Sequence, residues 1–434
     1  ILENKQSNEV AEGLLVYHAN RERIFKSLVN LYNQFESLVS RILLKKLINL
    51  FNLNVNQKKS IRVIKKEIAL IDKYERFFDA MLGILIDSKL IIYDSGIIYY
   101  PSDKVGDLES LDSEVKNFIN NNPDFSSYFE LLDQTLGSLN KVLNGTIKST
   151  DVLFLKGSIK LVEKIYANNK LSDYFNHLLS KFIVDYYKSH LSSKGEYSIL
   201  EIGAGTGGST GFVLKALREN NIKAKYYFTD VSESFLNVAK SKFSKDYPFV
   251  RFCLFDIEKH FNEQGFQKKS FDVIFATNVL HATENIDFSL KQISHLLKPN
   301  GYFLLNEATK FSNFATLTFG LLDGWWKNKD SQRISNSPLY SVEKWVQKII
   351  DAGFENVNFA HINSKTDSIQ TLFASQANIP PLIDNEQSKS RDSLNHQINN
   401  EAILNGLKSI FSKVLFMSEE EIDQNESFNY YGID

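Results

Sequence analysis

A histidine and a glutamate each follow an apolar run in the second half of the chain. His281 comes directly after FDVIFATNVL, and Glu307 comes after GYFLLN. An imidazole changes its charge near neutral pH, and a carboxylate bonded to one ring nitrogen makes the other a better base, so such a pair can take a proton from a substrate. Both side chains also bind metal ions, but no third ligand is identified and we predict no metal site. Taken singly, His281 is explained equally well as a histidine that caps or packs the end of a strand, and Glu307 as a surface carboxylate.

The segment 199–208, ILEIGAGTGG, joins an apolar run to closely spaced glycines. Gly203, Gly205 and Gly207 let the backbone pass close to a ligand at places where a Cβ atom would collide with it. Residues 209–220 then carry apolar side chains at helical spacing, so the glycines lie where a strand passes into a helix. This pattern predicts a nucleoside-cofactor site at the carboxyl edge of a sheet.

The glycines alone leave the identity of the cofactor open. Gly203, Gly205 and Gly208 also satisfy the G-x-G-x-x-G fingerprint of dinucleotide-binding enzymes, and a single match of that kind is weak evidence. Glu201, two residues before the first glycine, is more typical of enzymes that use S-adenosylmethionine (SAM). Asp230 ends the next predicted strand and can accept hydrogen bonds from ribose hydroxyls, which both cofactors carry.

A sheet must bring these residues to one edge, and strand-like runs continue beyond the glycine loop. After the strand that begins at residue 199, further strands are predicted over residues 225–232, 249–257, 271–279 and 301–308. Residues 311–329 and 341–352 are predicted as helices. A hairpin over 354–362 and 368–375 then finishes the sheet with an antiparallel last strand.

The first 150 residues are rich in helical periodicity, as over residues 28–53. Residues 90–100, LIIYDSGIIYY, interrupt the helices with two short β-type runs around a turn, which predicts a hairpin like that of a winged helix. The acidic tip of this hairpin favours a lid or packing role over the reading of nucleic acid. A basic cluster is interpreted as a solvated helix face, and it consists of Lys58, Lys59, Arg62, Lys65 and Lys66.

Length and composition limit the possible classes of protein. A chain of 434 residues predicts two or three domains, and 50 basic against 52 acidic residues argue against a strongly electropositive nucleic-acid surface. Cys253 has no cysteine partner, so it forms neither an intrachain disulfide nor a thiolate metal site, and we expect it in the core. Without a membrane-length apolar run or a secretory signal, we expect a cytoplasmic protein with no membrane partner.

Several motifs together resemble one family. EIGAGTGGST, FTDVSESFLNVAK, FDVIFATNVLHATENI, LLKPNGYFLLNEAT and GLLDGWWK are similar to the C-methyltransferase domains of modular polyketide synthases, over roughly residues 125–375. The resemblance implies an α/β class I SAM-dependent methyltransferase fold, with a Rossmann-like seven-stranded sheet and an N-terminal, mostly helical lid domain. Residues 401–434, which end in FNYYGID, resemble the start of an acyl carrier protein.

The resemblance implies the following division of the chain. Residues 1–124 form the helical lid with its winged-helix-like hairpin, and residues 125–376 form the methyltransferase core with its lead-in helices. Residues 377–400 are polar and contain two consecutive prolines, which predicts a linker, and residues 401–434 are a partial acyl carrier protein.

The resemblance also assigns residues. It implies that His281 and Glu307 lie on neighbouring strands as a catalytic dyad and that Tyr166 lines the active site, with Tyr174 as the alternative match. Trp325 and Trp326 are expected to wall the acyl pocket or the pantetheine tunnel, although aromatic residues in a helix are also explained by core packing, which is favoured for Trp326. Asp256 has an alternative as a helix cap at the end of its strand. The cofactor residues are expected to be Glu201, Gly203, Ala204, Gly205, Thr206, Gly207, Asp230, Val231, Asp256, Ile257, Asn278 and Val279.

The implied reaction is methylation of the α-carbon of a malonyl- or β-ketoacyl-type thioester on an acyl carrier protein, with SAM as donor and S-adenosylhomocysteine as product. His281 would act as the base, and neighbouring polyketide synthase domains would be partners. The alternatives are a SAM-dependent O-methyltransferase, an NAD-dependent dehydrogenase, and a winged-helix methyltransferase that binds nucleic acid. The basic cluster supports the last of these. The near-neutral overall charge argues against it, and we expect no nucleic-acid partner.

Overall fold

The computed structural model describes residues 22–154, 160–166, 170–190, 197–328, 330–361 and 368–377. They form an α/β fold in which a mainly helical N-terminal part precedes a seven-stranded sheet, so the predicted fold class is confirmed. The last strand includes Ala377, one residue into the predicted linker. The rest of that linker and the carrier-like residues 401–434 lie outside the described residues.

The N-terminal part is built from helices and one small sheet. The helices are α1 (Glu22–Leu50), α2 (Ile61–Glu67), α3 (Glu75–Asp87), α4 (Gly106–Glu109), α5 (Leu111–Asn121), α6 (Ser126–Gly137), α7 (Leu139–Leu143), α8 (Ser149–Leu153), α9 (Lys160–Tyr166) and α10 (Lys170–His190). The predicted hairpin is present, because β2 (Ile92–Asp94) pairs antiparallel with β3 (Ile97–Tyr99) across a turn at Ser95 and Gly96, both with positive φ. A short strand β1 (Lys59–Ser60) pairs with the other side of β3.

Phe35 of α1 lies at the centre of the helical core. Its side chain is fully buried, and its ring lies 5.0 Å from that of Phe125 and 5.3 Å from that of Phe129, measured between ring centroids. Phe314, far along the chain in α14 (Asn313–Thr318), lies 5.5 Å from the same ring. The segment that leaves the sheet after Glu307 therefore packs into the helical part.

The large sheet has the order β6-β5-β4-β7-β8-β10-β9. Its strands are β4 (Tyr197–Ile202), β5 (Ala224–Asp230), β6 (Val250–Leu254), β7 (Phe271–Thr277), β8 (Leu297–Ala308), β9 (Phe354–His361) and β10 (Gln370–Ala377). The first five are parallel, whereas β10 runs antiparallel to both β8 and β9, as predicted for the final strand. The helices that follow the strands are α11 (Gly208–Glu219), α12 (Glu233–Phe243), α13 (Ile286–Leu296) and α15 (Val342–Asp351).

Helices cover both faces of the sheet, which explains why the central strands are nearly continuous apolar runs. One face buries Tyr197 and Tyr226 in a cluster with α10 and α11. The other face buries Ile274 and Phe303 together with Trp345 of α15. The carboxyl ends of β4, β5, β7 and β8 meet at one edge, where the site is built.

Two predicted elements differ from the structure. The helix predicted over residues 311–329 is wrong, because α14 ends at Thr318 and two short 3₁₀ turns follow, Phe319–Leu321 and Asp323–Trp326. Leu322 between these turns is extended, which ends any continuous helix. Cys253, expected in the core, is only half-buried because it lies on β6 at the edge of the sheet.

The predicted basic helix face is only partly present. Lys58 and Lys59 precede the helix, and Lys59 lies on β1, where it pairs with Glu67 at 2.6 Å and donates to the carbonyl of Phe51. Ile64 and Ile68 are buried, whereas Arg62 and Lys66 are exposed. Lys65 forms ion pairs with acidic residues of α3. In the part of the chain that the structure describes, no helix is long and apolar enough to cross a membrane.

Candidate active site

The glycine loop between β4 and α11 has a backbone conformation in which residues other than glycine would be strained. Gly203, Gly205 and Gly207 have φ angles of +60°, +53° and +73°. A Cβ atom on Gly203 would lie 2.6 Å from Cγ1 of Val279, and one on Gly207 would lie 2.7 Å from the ring of Phe243. The loop is therefore held between α12 and the segment that follows β7, with its bare backbone at the sheet edge.

Asp230 at the end of β5 holds the glycine loop and keeps capacity for a ligand. Its Oδ2 accepts a hydrogen bond from the N–H of Gly205 at 2.9 Å, and its Oδ1 accepts one from Ser232 at 2.9 Å. Burial raises the pKa of this carboxyl, and the backbone donors oppose that shift. Each carboxylate oxygen has a second lone-pair site, so the group can still accept from ribose hydroxyls.

An apolar surface adjoins Asp230. Val231 is 67% exposed, and Leu254, which pairs with Asp230 across β5 and β6, is 48% exposed. Exposed aliphatic side chains beside a hydrogen-bonding carboxylate suit the flat face of an adenine next to its ribose. These residues therefore fit the adenosine part that the predicted cofactor contains.

The side chains of Asp256 and Ile257 already have partners within the fold. Oδ1 of Asp256 accepts a hydrogen bond from the N–H of Glu258 at 3.0 Å, and its Oδ2 pairs with Lys259 at 3.1 Å, so this carboxylate caps the turn after β6. The side chain of Ile257 is buried in the core between sheet and helices. The alternative that the sequence left open for Asp256 was a helix cap, and the carboxylate caps a turn instead, because the chain forms a turn directly after it.

Glu201 lies inside the fold, behind the glycine loop. Its carboxylate accepts hydrogen bonds from the hydroxyls of Thr210, at 2.7 Å, and Tyr226. The residue is 2% exposed, and burial raises the pKa of its carboxyl to about 8. Glu201 thus ties β4 to α11 and β5, and Ala204 and Thr206 of the adjoining loop are also largely buried.

Asn278 turns the chain sharply at the end of β7. Its φ is +52°, its N–H donates to the carbonyl of Asn306 at 2.8 Å, and its Oδ1 accepts from the N–H of Ala308 at 2.9 Å. Gln370 of β10 donates to the side chain of Asn306 at 2.8 Å. Asn306 and Gln370 were missed from the sequence, because their part in the site depends on a strand pairing that no local motif reveals.

The turn after Asn278 brings His281 onto Glu307. Nδ1 of His281 donates to Oε2 of Glu307 at 2.6 Å, and Glu307 is fully buried. The other carboxylate oxygen, Oε1, accepts from the N–H groups of Val279 at 3.0 Å and Leu280 at 2.8 Å. With its proton on Nδ1, the imidazole has its lone pair on Nε2, a tautomer that we assign from the hydrogen bond.

Trp325 lies beside the imidazole. Its ring stands edge-on to that of His281, with 6.3 Å between the centroids, and the residue is 8% exposed. Its indole N–H is buried without a hydrogen-bond partner among the described residues. A buried donor of this kind is costly unless a ligand or water accepts from it.

The helical part holds the segment that carries Trp325. Lys73 pairs with Asp323 at 2.6 Å, and Arg76 donates to the carbonyl of Trp326 at 2.6 Å while its guanidinium lies 5.1 Å from the ring centroid. Trp326 is half-buried and its indole N–H donates to a backbone carbonyl of the same segment at 2.7 Å. The wall beside His281 is therefore fixed by both parts of the chain.

The two tyrosines named from the sequence differ in what the structure describes. Tyr166 is the last residue of α9, but its side chain lies outside the described part, so its role stays a prediction. Tyr174 of α10 is 8% exposed and packs edge-on against Phe175 at 5.2 Å. Over the described ranges, no group of three or more histidine, cysteine, aspartate and glutamate side chains is arranged to hold a metal ion.

Comparisons with known proteins bear on the chemistry of this edge. A family model described as a methyltransferase domain matches residues 200–303. Polyketide synthase PksR of Bacillus subtilis (strain 168) is 33% identical over 320 residues, which is 70% of this chain and 12% of PksR. The chain therefore spans only a small part of the length of that relative.

Two solved structures match nearly the whole described chain. The DszA carbon methyltransferase is 29% identical with a TM-score of 0.75, over 85% of this chain and 93% of DszA. The CurJ carbon methyltransferase is 27% identical with a TM-score of 0.75, over 86% of this chain and 99% of CurJ. These matches extend well beyond the residues of the family model and include the helical part.

Proposed function

The chain is a SAM-dependent methyltransferase similar to the carbon methyltransferase domains of polyketide synthases, and we propose that it methylates the α-carbon of a malonyl- or β-ketoacyl-type thioester. The observation that carries this proposal is the bond between His281 and Glu307 at the edge where the glycine loop lies. A positioned base is needed to turn the α-carbon of such a thioester into a nucleophile.

His281 takes the proton. With Nδ1 bonded to Glu307, Nε2 accepts the proton from the α-carbon, and the carboxylate stabilises the imidazolium that forms. The electron pair of the broken C–H bond becomes the enolate, whose α-carbon forms the new bond to the methyl group. SAM, when bound, supplies this methyl from its sulfonium. The electron pair of the breaking C–S bond stays on the sulfur, so the product is S-adenosylhomocysteine.

The developing enolate oxygen needs a hydrogen-bond donor or a positive charge. The indole N–H of Trp325 is buried without a partner next to the base, which fits such a donor, and the imidazolium itself supplies positive charge. Tyr166 is proposed as a donor to the same enolate oxygen, on the family resemblance alone. The ring of Trp325 also fits an apolar wall for the acyl group.

The cofactor site is proposed at the glycine loop. Asp230 would accept from the ribose hydroxyls, and Val231 would contact the adenine beside Leu254. The loop backbone at Gly203 and Gly205 would approach the methionine part, with Glu201 holding the loop from behind. The remaining proposed cofactor residues are Ala204, Thr206, Gly207, Asp256, Ile257, Asn278 and Val279.

The proposed partner is an acyl carrier protein with a phosphopantetheine-linked acyl group. The support is that PksR, a multidomain relative, is a polyketide synthase, and that residues 401–434 resemble the start of a carrier protein. Neighbouring polyketide synthase domains are proposed as further partners on the same ground.

The test incubates the protein with SAM carrying a carbon-13 methyl group and with a panel of malonyl- and acetoacetyl-loaded carrier proteins. Intact mass reports transfer, and carbon NMR of the released acyl group reports the atom that is methylated. We expect a label on the α-carbon of at least one thioester. A label on oxygen, or measurable NAD affinity without SAM affinity, would refute the proposal in favour of an O-methyltransferase or a dehydrogenase.

A further inference from the structure

Arg333 is a buried cation close to the catalytic edge. It lies in the segment between Trp325 and α15, and its side chain is 2% exposed. A buried guanidinium is costly unless its charge is neutralised and its donors are bonded. Asp330 neutralises it, with Oδ2 at 2.9 Å from Nε of Arg333, and Tyr340 donates to the same oxygen at 2.6 Å.

The remaining donors of Arg333 reach the backbone of the histidine turn. Nη1 donates to the carbonyl of His281 itself and to that of Pro338, the latter at 2.7 Å. Nη2 donates to the carbonyl of Thr283 at 2.9 Å. The guanidinium also lies 4.8 Å from the ring centroid of Tyr340, which keeps its plane in place.

The short 3₁₀ turn Leu280–Ala282 is thus held from both sides. Glu307 accepts from the N–H groups on its entering side, and Arg333 donates to the carbonyls on its leaving side. The ring of His281 is bonded at Nδ1 and lies beside Trp325, and the place of Nε2 also depends on where the backbone of this turn lies.

We propose that Arg333 is a positioning residue that holds His281 in line for proton abstraction through the carbonyls of His281 and Thr283. The inference rests on the proposed function, since it takes His281 as the base. Arginine suits this role because its planar fork bonds three carbonyls and a carboxylate at once, whereas the ammonium of lysine is a single point.

The test compares Arg333→Lys and Arg333→Gln with the wild type, using acetoacetyl-pantetheine as acceptor. We expect kcat to fall by roughly tenfold to a hundredfold, because a small displacement of the base costs that much, while the SAM Kd stays within about twofold. Arg251→Lys is the matched control, because Arg251 also lies over a tyrosine ring, at 5.4 Å, but contacts Tyr227 at the edge of the sheet. An unchanged kcat in both Arg333 variants would overturn the inference.

A second measurement separates this inference from the proposed function and from simple destabilisation. Nitrogen-15 NMR of histidine-labelled protein, with the His281 signal assigned from a His281→Asn variant, reports the Nδ1 hydrogen bond without any turnover. We expect the His281 signal to change in Arg333→Lys under conditions where circular dichroism shows folded protein, and to stay unchanged in Arg251→Lys. An unchanged signal would overturn the positioning role even if the wild type methylates no thioester, and an inactive wild type would by itself refute only the proposed function.

Discussion

Nδ1 of His281 and Oε2 of Glu307 lie 2.6 Å apart, and the same carboxylate accepts backbone N–H groups from the turn that carries the histidine. One side chain therefore sets the tautomer of the proposed base and holds the entering side of its turn. For Glu307→Gln, we expect kcat to fall by about 10²- to 10⁴-fold. The amide carries no charge, and its N–H₂ group cannot accept from the ring or from the turn. Turnover measured with saturating SAM checks this, and a loss below about tenfold would contradict it.

Removing the imidazole tests the base directly. For His281→Ala, we expect kcat to fall by about 10²- to 10⁴-fold, the usual contribution of a general base, with an unchanged SAM Kd in isothermal titration. His260→Ala is the matched control, because His260 is exposed and belongs to neither the glycine loop nor the histidine turn. Retained α-methylation in the His281 variant would refute the base role.

The indole N–H of Trp325 can be removed while its ring bulk is largely kept. For Trp325→Phe, we expect kcat to fall by about 10²-fold if this donor serves the enolate oxygen, with little change in the SAM Kd. Trp326→Phe is the comparison, because the N–H of Trp326 already bonds a backbone carbonyl. Equal kcat losses in both variants would indicate that packing alone explains Trp325.

Gly203 tests the cofactor loop. For Gly203→Ala, we expect the SAM Kd to rise by about tenfold or more, because alanine at positive φ costs roughly 1–2 kcal/mol and its Cβ atom would collide with Val279. Gly211→Ala in α11 is the control, since a Cβ atom there meets nothing within 4 Å. Isothermal titration with S-adenosylhomocysteine measures both, and equal affinities would contradict the placement of the cofactor.

The buried carboxyl of Glu201 predicts a pH dependence of stability. Its pKa in the fold is about 8 against an ordinary 4.5, so between these values the folded chain keeps a proton that the unfolded chain has lost. The free energy of unfolding that this group contributes is therefore complete at low pH and falls as the pH rises through this window, by up to about 1.4 kcal/mol per pH unit. For Glu201→Gln, we expect the free energy of unfolding, measured with urea, to fall less steeply between about pH 5 and pH 8, by the contribution of one proton. Parallel profiles for the two proteins would contradict it.

The sequence predicted the parts of the site that lie on regular strands. Gly203, Asp230, His281 and Glu307 each follow an apolar run, and parallel strands bring their ends to one edge. That the strands before His281 and Glu307 are neighbours was implied by the family resemblance. The seven-stranded sheet with its antiparallel last strand was expected from the family resemblance, and the structure has it.

Contacts between distant segments could not be read from the sequence. Arg333 lies in an irregular segment and bonds carbonyls about 50 residues away, and carbonyls leave no trace in residue type. Gly320 and Gly324 lie among apolar residues at near-helical spacing, which concealed the break between the two 3₁₀ turns. The capping contacts of Asp256 were one of two alternatives that only coordinates distinguish.

The position of β10 limits how this enzyme can be cut for study. Thr371 pairs with Glu307 across β10 and β8, so the strand that carries the carboxylate gains its outer neighbour only when the chain returns at residue 370. An excised fragment that stops after β9 would retain His281 and Glu307 and still leave β8 as an open edge. Expression boundaries for this catalytic unit must therefore fall beyond Ala377, even though the last strand supplies none of the proposed reacting groups.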